Sequence, residues 1–297
     1  MTTRSLSYTS VAGHPPGLPD RSEILGRATG ENFSVASAFL PRWCRRDLMA
    51  FYGYARLVDQ LGDEYQGDRL AALQWLESET RAALDDPAGR HPLVGDAARS
   101  VRRLGTDPAP LFDLIEANRM DQQVAGYPTF ADLVGYCRLS ANPVGRLVLA
   151  AFGCSDPRRI ELSDAICTGL QLVEHWQDVR EDALAGRVYL PAEDLHRFGV
   201  DAGELTGDRP SSPALRSLMA FEVARARTWL DRGRPLTAML PGRFRLAVAG
   251  FWSGGHAALD AIADRDFEVL TTPRRPRPDR VARRVVNTLF DRSGRMA

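Results

Sequence analysis

Lysine is absent from this chain of 297 residues, so arginine supplies all 38 basic residues, and 38 acidic residues balance them to a net charge of zero. A balanced charge argues against broad nucleic-acid binding, which requires a basic surface. Any fixed cationic contact to a phosphate must come from arginine, whose planar guanidinium binds phosphate oxygens in pairs. We therefore expect no nucleic-acid partner.

Cysteine and long apolar runs are also scarce. No C-x-x-C pair is present, and no histidine stands beside a cysteine at zinc-ligand spacing. Residues 1–22 lack the apolar core of a signal peptide. No run of about 18 apolar residues, the length that spans a bilayer, occurs anywhere. These absences predict a cytoplasmic protein without a transmembrane helix, whose four cysteines are buried thiols.

The order of helix signals and breakers predicts the organisation of the chain. Glycine, proline, serine and threonine dominate residues 1–20, which predicts a disordered N-terminal arm. Beyond the arm, apolar residues recur at intervals of three and four, which is typical of helices. There is no βαβ alternation, internal repeat or glycine-rich phosphate loop. The sequence therefore predicts a single all-α domain over 21–297. The predicted helices span 30–40, 42–64, 68–85, 92–104, 110–124, 129–139, 142–152, 158–184, 212–238, 242–264 and 276–292.

Two acidic motifs of the form D-x-x-x-D contain the main chemical signal. Asp59 and Asp63 lie in YARLVDQLGDE, and Asp178 and Asp182 lie in QLVEHWQDVRED. On a helix, residues i and i+4 share a face, and like charges there cost about 0.2–0.5 kcal/mol per pair. A cation between the two carboxylates would reverse that cost.

The surroundings of the motifs favour a functional interpretation over a solvated surface. A single D-x-x-x-D is common on exposed helix faces, but both of these segments are largely apolar. We therefore expect the acids to face a cavity rather than bulk water, where buried carboxylates need cations or hydrogen bonds. Two such helices facing each other would hold Mg²⁺ ions and, through them, a diphosphate.

The two segments resemble the motifs of the squalene and phytoene synthases. GRVYLPAEDL at 186–195 follows the second motif as it does in that family, and ENFSVASAFLP at 31–41 resembles the family's early substrate-contacting helix. The phrases SANPVG and QLVEHWQDV are most similar to the bacterial hydroxysqualene synthase branch of hopanoid biosynthesis. The resemblance implies the all-α isoprenoid synthase fold, also called the class I terpenoid synthase fold, with a central cavity.

The resemblance also implies roles for individual residues. Four aspartates match the positions that bind Mg²⁺ and the substrate diphosphate: Asp59, Asp63, Asp178 and Asp182. Arg56 matches an arginine near the diphosphate. Further matches to substrate-binding or flap positions are Tyr52, Tyr136, Gln171 and Tyr189, and Phe33 belongs to the early helix.

Two positions depart from the family pattern. Gln60 stands where many members have a second consecutive aspartate, although the D-x-x-x-D frame remains. Glu174 stands where asparagine is common, and on a helix it lies in line with Asp178 and Asp182. Glu174 is therefore a candidate catalytic residue, either as a further metal ligand or as a base toward water.

The hydroxysqualene branch implies Mg²⁺-dependent conversion of presqualene diphosphate to hydroxysqualene, without NADPH because no hydride is delivered. The alternatives are condensation of two farnesyl diphosphates to presqualene diphosphate or squalene, and phytoene synthesis from geranylgeranyl diphosphate. The acidic motifs do not separate these reactions, because all of them need the same diphosphate clamp.

A hypothesis of a different class is a non-catalytic scaffold, which would be free to lose its carboxylates. A di-iron bundle would need Glu-x-x-His pairs, which the acidic helices lack. The lipid substrate makes the inner face of the membrane and other hopanoid enzymes the expected partners.

Overall fold

The computed structural model describes residues 15–18, 21–27 and 40–271. Contacts divide the chain into two compact units, Met1–Gln122 and Gln123–Ala297. The described ranges contain helices and no β-strand, apart from one isolated parallel bridge between Gly126 and Val188. The all-α prediction is therefore confirmed for these ranges, whereas a single domain over 21–297 stays a prediction.

The first unit is built around α2, whose buried face includes Leu48, Phe51 and Val58. These side chains recur at helical spacing and pack against the neighbouring helices α4 and α5. The helices of this unit are α1 (Arg21–Arg27), α2 (Arg42–Asp59), a π-helix (Gln60–Glu64), α3 (Arg69–Asp85), α4 (Pro92–Leu104) and α5 (Ala109–Asp121).

The second unit is built around a long central helix, α8, that packs along α11 and also contacts α7 and α13. Gly233 permits the close approach of α8 and α11, because a Cβ atom there would lie 2.6 Å from the carbonyl oxygen of Leu162. The helices of this unit are α6 (Phe130–Ser140), α7 (Asn142–Ala151), α8 (Pro157–Gln177), α9 (Val179–Leu184), α10 (Ala192–Phe198), a 3₁₀-helix (Ala202–Thr206), α11 (Pro213–Gly233), α12 (Leu236–Met239) and α13 (Gly242–Ala263).

The helices predicted from periodicity are confirmed wherever they fall within the described ranges, but three of them are interrupted. The predicted helix 42–64 changes to a π-helix after Asp59, 158–184 breaks at Asp178, and 212–238 ends at Gly233 before α12 begins. The short helices α1 and α10 and the 3₁₀-helix were not predicted. The predicted helix 276–292, nearly all of 30–40, and most of the predicted N-terminal arm lie outside the described residues.

Two predictions from composition are confirmed, although Cys167 is only half-buried. All four cysteines are free thiols, and three of them are buried. Burial raises the pKa of the Cys137 and Cys167 thiols to about 12, so neither forms a reactive thiolate at neutral pH. In the part of the chain that the structure describes, no helix is long and apolar enough to cross a membrane.

Candidate active site

The first acidic motif lies where the helix changes its type. Asp59 is the last residue of α2, and Asp63 lies in the π-helix that follows. The prediction of regular α-helical spacing between these two aspartates is therefore wrong. The two carboxylates still interact, because the charge of Asp63 helps to raise the pKa of Asp59. Single π-helical turns within α-helices are rare and frequently occur at functional sites.

Asp59 is held between groups that act on its charge in opposite directions. Desolvation by the surrounding protein raises the pKa of Asp59 to about 6; the neighbouring Arg56 opposes this rise and Asp63 adds to it. The Arg56 Nη1 atom lies 3.5 Å from Asp59 Oδ2. Although the surrounding protein desolvates the carboxylate, 45% of the Asp59 side chain remains accessible to solvent. A bound divalent cation would lower this pKa, since it favours the ionised carboxylate.

The other predicted residues of the first unit lie close to Asp59 in sequence and on α2. Tyr52, Arg56 and Asp59 follow one another at helical spacing, so they lie on one face. Tyr52 is buried, Arg56 is half-buried and Asp63 is exposed. Phe33 lies outside the described residues.

The π-helical turn is held by residues of α5 and its C-terminal cap that the sequence did not single out. Gln122 Nε2 donates a hydrogen bond of 2.9 Å to the carbonyl oxygen of Gly62. The Asn118 side chain hydrogen-bonds to Asp59 and also donates to the carbonyl oxygen of Leu114 at 3.2 Å. Asn118 therefore links the shape of the turn to the position of the Asp59 carboxylate.

Gly62→Ala should destabilise the protein by about 1–3 kcal/mol, a typical cost of overpacking, and should lower its activity. A Cβ atom at Gly62 would lie 2.8 Å from Asn118 Cγ, so the Asn118 side chain would have to move and release Asp59. Urea unfolding and turnover measurements check this prediction. Gly250→Ala is the matched control, because a Cβ atom there meets nothing within 4 Å. Equal behaviour of the two variants would contradict the prediction.

The second acidic motif lies across a break between α8 and α9. Asp178 has φ −105° and ψ 17°, outside the helical region, so the predicted continuous helix 158–184 is wrong at this residue. Backbone hydrogen bonds nevertheless continue across the break, from Asp178 N to the Glu174 carbonyl oxygen at 3.0 Å and from Asp182 N to the Asp178 carbonyl oxygen at 2.8 Å. Glu174, Asp178 and Asp182 therefore remain on successive turns.

These acids are accessible rather than enclosed. Glu174 and Asp178 are exposed, and 29% of the Asp182 side chain is accessible. Asp63 and Asp178 are therefore not buried among the apolar residues of their segments. The expectation that the motif acids face a cavity stays a prediction. Partial desolvation, followed by the charges of Asp182 and Glu181, raises the pKa of Asp178. The accessible carboxylates are available to a cation.

A buried cluster of aromatic rings brings together two of the predicted tyrosines. The His175 ring stacks on Tyr189, with ring centroids 3.7 Å apart and planes 14° apart. Tyr136 lies 5.9 Å and Tyr127 lies 6.0 Å from Tyr189 between ring centroids. The predicted Tyr136 and Tyr189 are therefore neighbours, and the cluster also contains two rings that the sequence did not single out.

Backbone pairing places Tyr189 in this cluster. Val188 N donates to the carbonyl oxygen of Ala125 at 2.8 Å, and Ala192 N donates to that of Tyr127 at 2.9 Å. The segment 186–193 is thereby laid along 125–128, although the two are far apart in sequence. This pairing is non-local, which explains why Tyr127 could not be identified from a sequence motif.

His175 lies between two of the predicted site residues. Its Nε2 atom is 3.2 Å from Gln171 Nε2, and its Nδ1 atom is 3.9 Å from Asp182 Oδ2. Burial lowers the pKa of His175, and the neighbouring Asp182 carboxylate opposes that shift. His175 and Asp182 line a small pocket together with Val179, Val188, Tyr189, Leu190 and Leu205. The position of His175 beside Glu174 was the sequence signal that could have identified it.

Arg180, although it lies inside the second motif, has a structural role. Its Nη1 atom donates to the carbonyl oxygens of Gly207 at 2.7 Å and Leu270 at 3.3 Å, and its Nη2 atom pairs with Asp208 Oδ1 at 2.9 Å. Arg180 therefore anchors two loops to α9.

The carboxylates of the two motifs are suitable ligands for Mg²⁺ in a diphosphate complex. Among the described residues there is no cluster of three or more histidine, cysteine, aspartate or glutamate residues that could hold a metal ion without help. Mg²⁺ prefers oxygen ligands, keeps several waters and is usually bound by one or two carboxylates together with substrate phosphates. Each motif offers two carboxylates. Desolvation first, and neighbouring carboxylates second, raise the pKa values of Asp59 and Asp178, and a bound cation would oppose both effects because it favours the ionised carboxylates.

Comparison with known proteins places the chain in a known class. The chain matches the squalene/phytoene synthase family over residues 27–282. A hydroxysqualene synthase from Rhodopseudomonas palustris is 32% identical over 268 residues, which cover 90% of this chain and 88% of that protein. A presqualene diphosphate synthase from the same organism is 33% identical over 188 residues, 62% of this chain and 66% of that protein.

A solved structure supports the same assignment. The crystal structure of squalene synthase HpnC from Alicyclobacillus acidocaldarius is similar to this chain with a TM-score of 0.78 and 40% identity. The match covers 83% of this chain and 94% of that chain.

The fold is therefore the all-α isoprenoid synthase fold, and the protein is a prenyl diphosphate-processing enzyme of isoprenoid biosynthesis. The chain belongs to the squalene/phytoene synthase family. The resemblance inferred from the two acidic motifs is confirmed. The central cavity and the individual roles of the site residues stay predictions.

Proposed function

We propose that this enzyme converts presqualene diphosphate and water to hydroxysqualene and diphosphate, with Mg²⁺ as its cofactor. The observation that carries the proposal is the similarity to a hydroxysqualene synthase over 90% of this chain and 88% of that relative. The exposed Glu174, one turn before Asp178, adds support, since a reaction that ends in water capture requires a polar group that water can reach.

The proposed reaction balances without an oxidant or a reductant. The bond between carbon and the diphosphate oxygen breaks, and diphosphate leaves with the electron pair. The cyclopropylcarbinyl cation that remains rearranges, water adds to it through a new carbon–oxygen bond, and the added water loses one proton. Because no hydride is delivered, we propose that NADPH is not needed.

Leaving-group departure depends on how the accumulating negative charge is stabilised. Bound Mg²⁺ would act as a Lewis acid on the diphosphate, and Asp59, Asp63, Asp178 and Asp182 are the residues that would hold it. Arg56 supplies a fixed cation beside the first motif, with its Nη1 atom 3.5 Å from Asp59 Oδ2, and would contact the diphosphate directly. Tyr52, Tyr136, Gln171 and Tyr189 are the described residues proposed to contact the rest of the substrate.

A product assay tests the proposed function. The enzyme is incubated with Mg²⁺ and no NADPH, with presqualene diphosphate or farnesyl diphosphate offered separately, and products are identified by mass spectrometry. A hydroxylated C30 alcohol formed from presqualene diphosphate is the expected result. Conversion of farnesyl diphosphate to presqualene diphosphate would instead assign the alternative reaction, which the similarity to a presqualene diphosphate synthase favours. Inactivity with both would leave phytoene synthesis or a scaffold role.

Glu174→Asn should change the product distribution or slow water capture several-fold, if Glu174 positions the water that ends the reaction. The exposed Glu174 packs against no core, so the helix should remain intact. Products from presqualene diphosphate and single-turnover rates check the prediction. Glu161→Gln is the control, because it removes an exposed acid from the same helix, away from the second motif. An unchanged rate and product pattern in Glu174→Asn would reduce Glu174 to a structural residue.

We also propose a cytoplasmic location, with peripheral contact at the inner face of the membrane. The free thiols of the four cysteines suit a reducing compartment, and the lipid substrate would reside in a membrane. Association with other hopanoid enzymes is a further proposal, which pull-down of the intact protein would test.

A further inference from the structure

We infer that Gln171 and His175 form a chain of polar groups that orients the carboxylate of Asp182, so that His175 is a positioning residue for this enzyme. The inference rests on the proposed function, in which Asp182 is a Mg²⁺ ligand. Ligating carboxylates are commonly held by hydrogen-bonding groups behind them, and loss of such a group typically costs about 10–100-fold in metal affinity.

The geometry places the two nitrogen atoms of His175 against different partners. Nε2 lies 3.2 Å from the side-chain nitrogen of Gln171, and Nδ1 lies 3.9 Å from Asp182 Oδ2. His175 is 6% exposed, so its ring nitrogens depend on protein groups rather than bulk water. The contact to Asp182 is longer than a direct hydrogen bond, and a small rotation of the partly accessible carboxylate would close it.

The two contacts together determine the tautomer of the ring. With the Gln171 amide oriented as in this structure, its nitrogen donates to Nε2, which places the proton of the neutral ring on Nδ1. Nδ1–H is the donor that faces the Asp182 carboxylate. Gln171, which the family resemblance assigns to substrate binding, thus acquires a second role in selecting the His175 tautomer.

Stacking on Tyr189 prevents the ring from turning away from this arrangement. The planes of His175 and Tyr189 are 14° apart at a centroid distance of 3.7 Å. Since the pairing of 186–193 with 125–128 positions Tyr189, the orientation of His175 depends on the segment 186–193. Asp182 itself lies on α9, beyond the break at Asp178, and not on α8, the helix of His175.

The first experiment observes the tautomer in the protein without added metal. Long-range ¹H–¹⁵N correlation spectra report which ring nitrogen bears the proton, and the signals of His175 are those that disappear in His175→Phe. We expect the Nδ1–H tautomer in the wild-type enzyme and a shift toward Nε2–H in Gln171→Leu. An Nε2–H tautomer in the wild-type enzyme, or no response to Gln171→Leu, would overturn the inference.

The second experiment measures metal affinity directly, by the electron paramagnetic resonance of Mn²⁺ titrated in the presence of inorganic diphosphate. His175→Phe keeps a ring on Tyr189 but removes the donor, so Mn²⁺ should bind about 10–100-fold more weakly. His175→Asn places an amide nitrogen near the original Nδ1 position and should restore affinity to within a few-fold of wild type. His175→Gln places its donor near Nε2 and should resemble His175→Phe.

His196→Phe, at an exposed histidine of α10, is the matched control and should bind Mn²⁺ as the wild type does. Circular dichroism confirms that each variant is folded. If the wild-type enzyme binds Mn²⁺ and His175→Phe binds it equally well, the positioning role is overturned and the proposed function stands. If the wild-type enzyme itself binds no Mn²⁺ with diphosphate, the metal-dependent function fails and the positioning role fails with it.

Discussion

Asp178→Ala should lower the turnover of presqualene diphosphate by about a thousandfold or more and leave the helical fold intact. The expected loss corresponds to about 4 kcal/mol of transition-state stabilisation, the scale of a metal ion's effect on a leaving oxygen. Asp178 is exposed, so its side chain contributes no core packing. Single-turnover kinetics at saturating Mg²⁺ measures the rate, and circular dichroism measures the helix content.

A control on the preceding helix, α8, distinguishes the loss of a metal ligand from the loss of a negative charge. Glu161→Ala removes an acid of α8 whose side chain is 65% exposed and pairs with Arg158 of the same turn. Exposed pairs of this kind contribute little to stability, so Glu161→Ala should retain wild-type turnover. Wild-type turnover in Asp178→Ala would show that the second motif does not hold the metal.

Glu222→Gln should stabilise the protein against unfolding at alkaline pH by an amount on the order of 3 kcal/mol. Glu222 is 0% exposed and faces Asp194, which is also buried. The guanidinium of Arg225 pairs with both carboxyl groups. Arg225 Nη1 lies 2.8 Å from Asp194 Oδ2 and 3.1 Å from Glu222 Oε1. Burial, opposed by Arg225 and reinforced by Asp194, raises the pKa of Glu222 to about 8.

The sign of the pH effect follows from this direction. Because the pKa of Glu222 rises from 4.5 in the unfolded chain to about 8 in the folded state, the folded state binds more protons between these values. Stability from this group is complete below about pH 4.5 and is lost progressively as the pH rises through about 8. Glutamine cannot ionise, yet its amide still donates to Asp194, so the variant should escape this loss.

Urea unfolding at pH 6 and at pH 9 measures the difference between the two proteins. The wild-type free energy of unfolding should fall more steeply between the two pH values than that of Glu222→Gln. Glu161→Gln, at the exposed glutamate of α8, should keep the wild-type dependence. An equal fall in the free energy of unfolding for wild type and Glu222→Gln would contradict the prediction. It would mean that the buried cluster of Asp194, Glu222 and Arg225 makes no pH-dependent contribution to stability.

The helices and the family were accessible from the sequence because both depend on local patterns. Apolar residues at intervals of three and four predicted α4 at 92–104 with its observed ends, where Pro92 begins the helix and Gly105 caps it in the left-handed conformation. The paired acidic motifs and GRVYLPAEDL, each contiguous in sequence, identified the family that the comparisons confirm. Short helices such as α10 span too few residues for a periodic signal.

The backbone conformation within each acidic motif could not be predicted from the sequence. The π-helical turn after Asp59 depends on Asn118 and Gln122, which α5 and its C-terminal cap bring against Gly62. No proline or glycine lies beside Asp178, and the residues around it are ordinary helix formers. The local sequence therefore predicts a continuous helix there and gives no signal of the break. Non-local packing overrides local helix propensity at both motifs.

The sequence by itself determined the helical class, the family and which carboxylates are candidates for the metal, since these follow from spacing and residue type. Only the tertiary structure decided which of those carboxylates are accessible, because that depends on the face of each helix that packs inward. It also decided the environment of His175, whose partner Tyr189 reaches it only through backbone pairing between 186–193 and 125–128. A side chain's chemical type is local information, whereas its burial, tautomer and charge are set by atoms that folding brings to it from elsewhere in the chain.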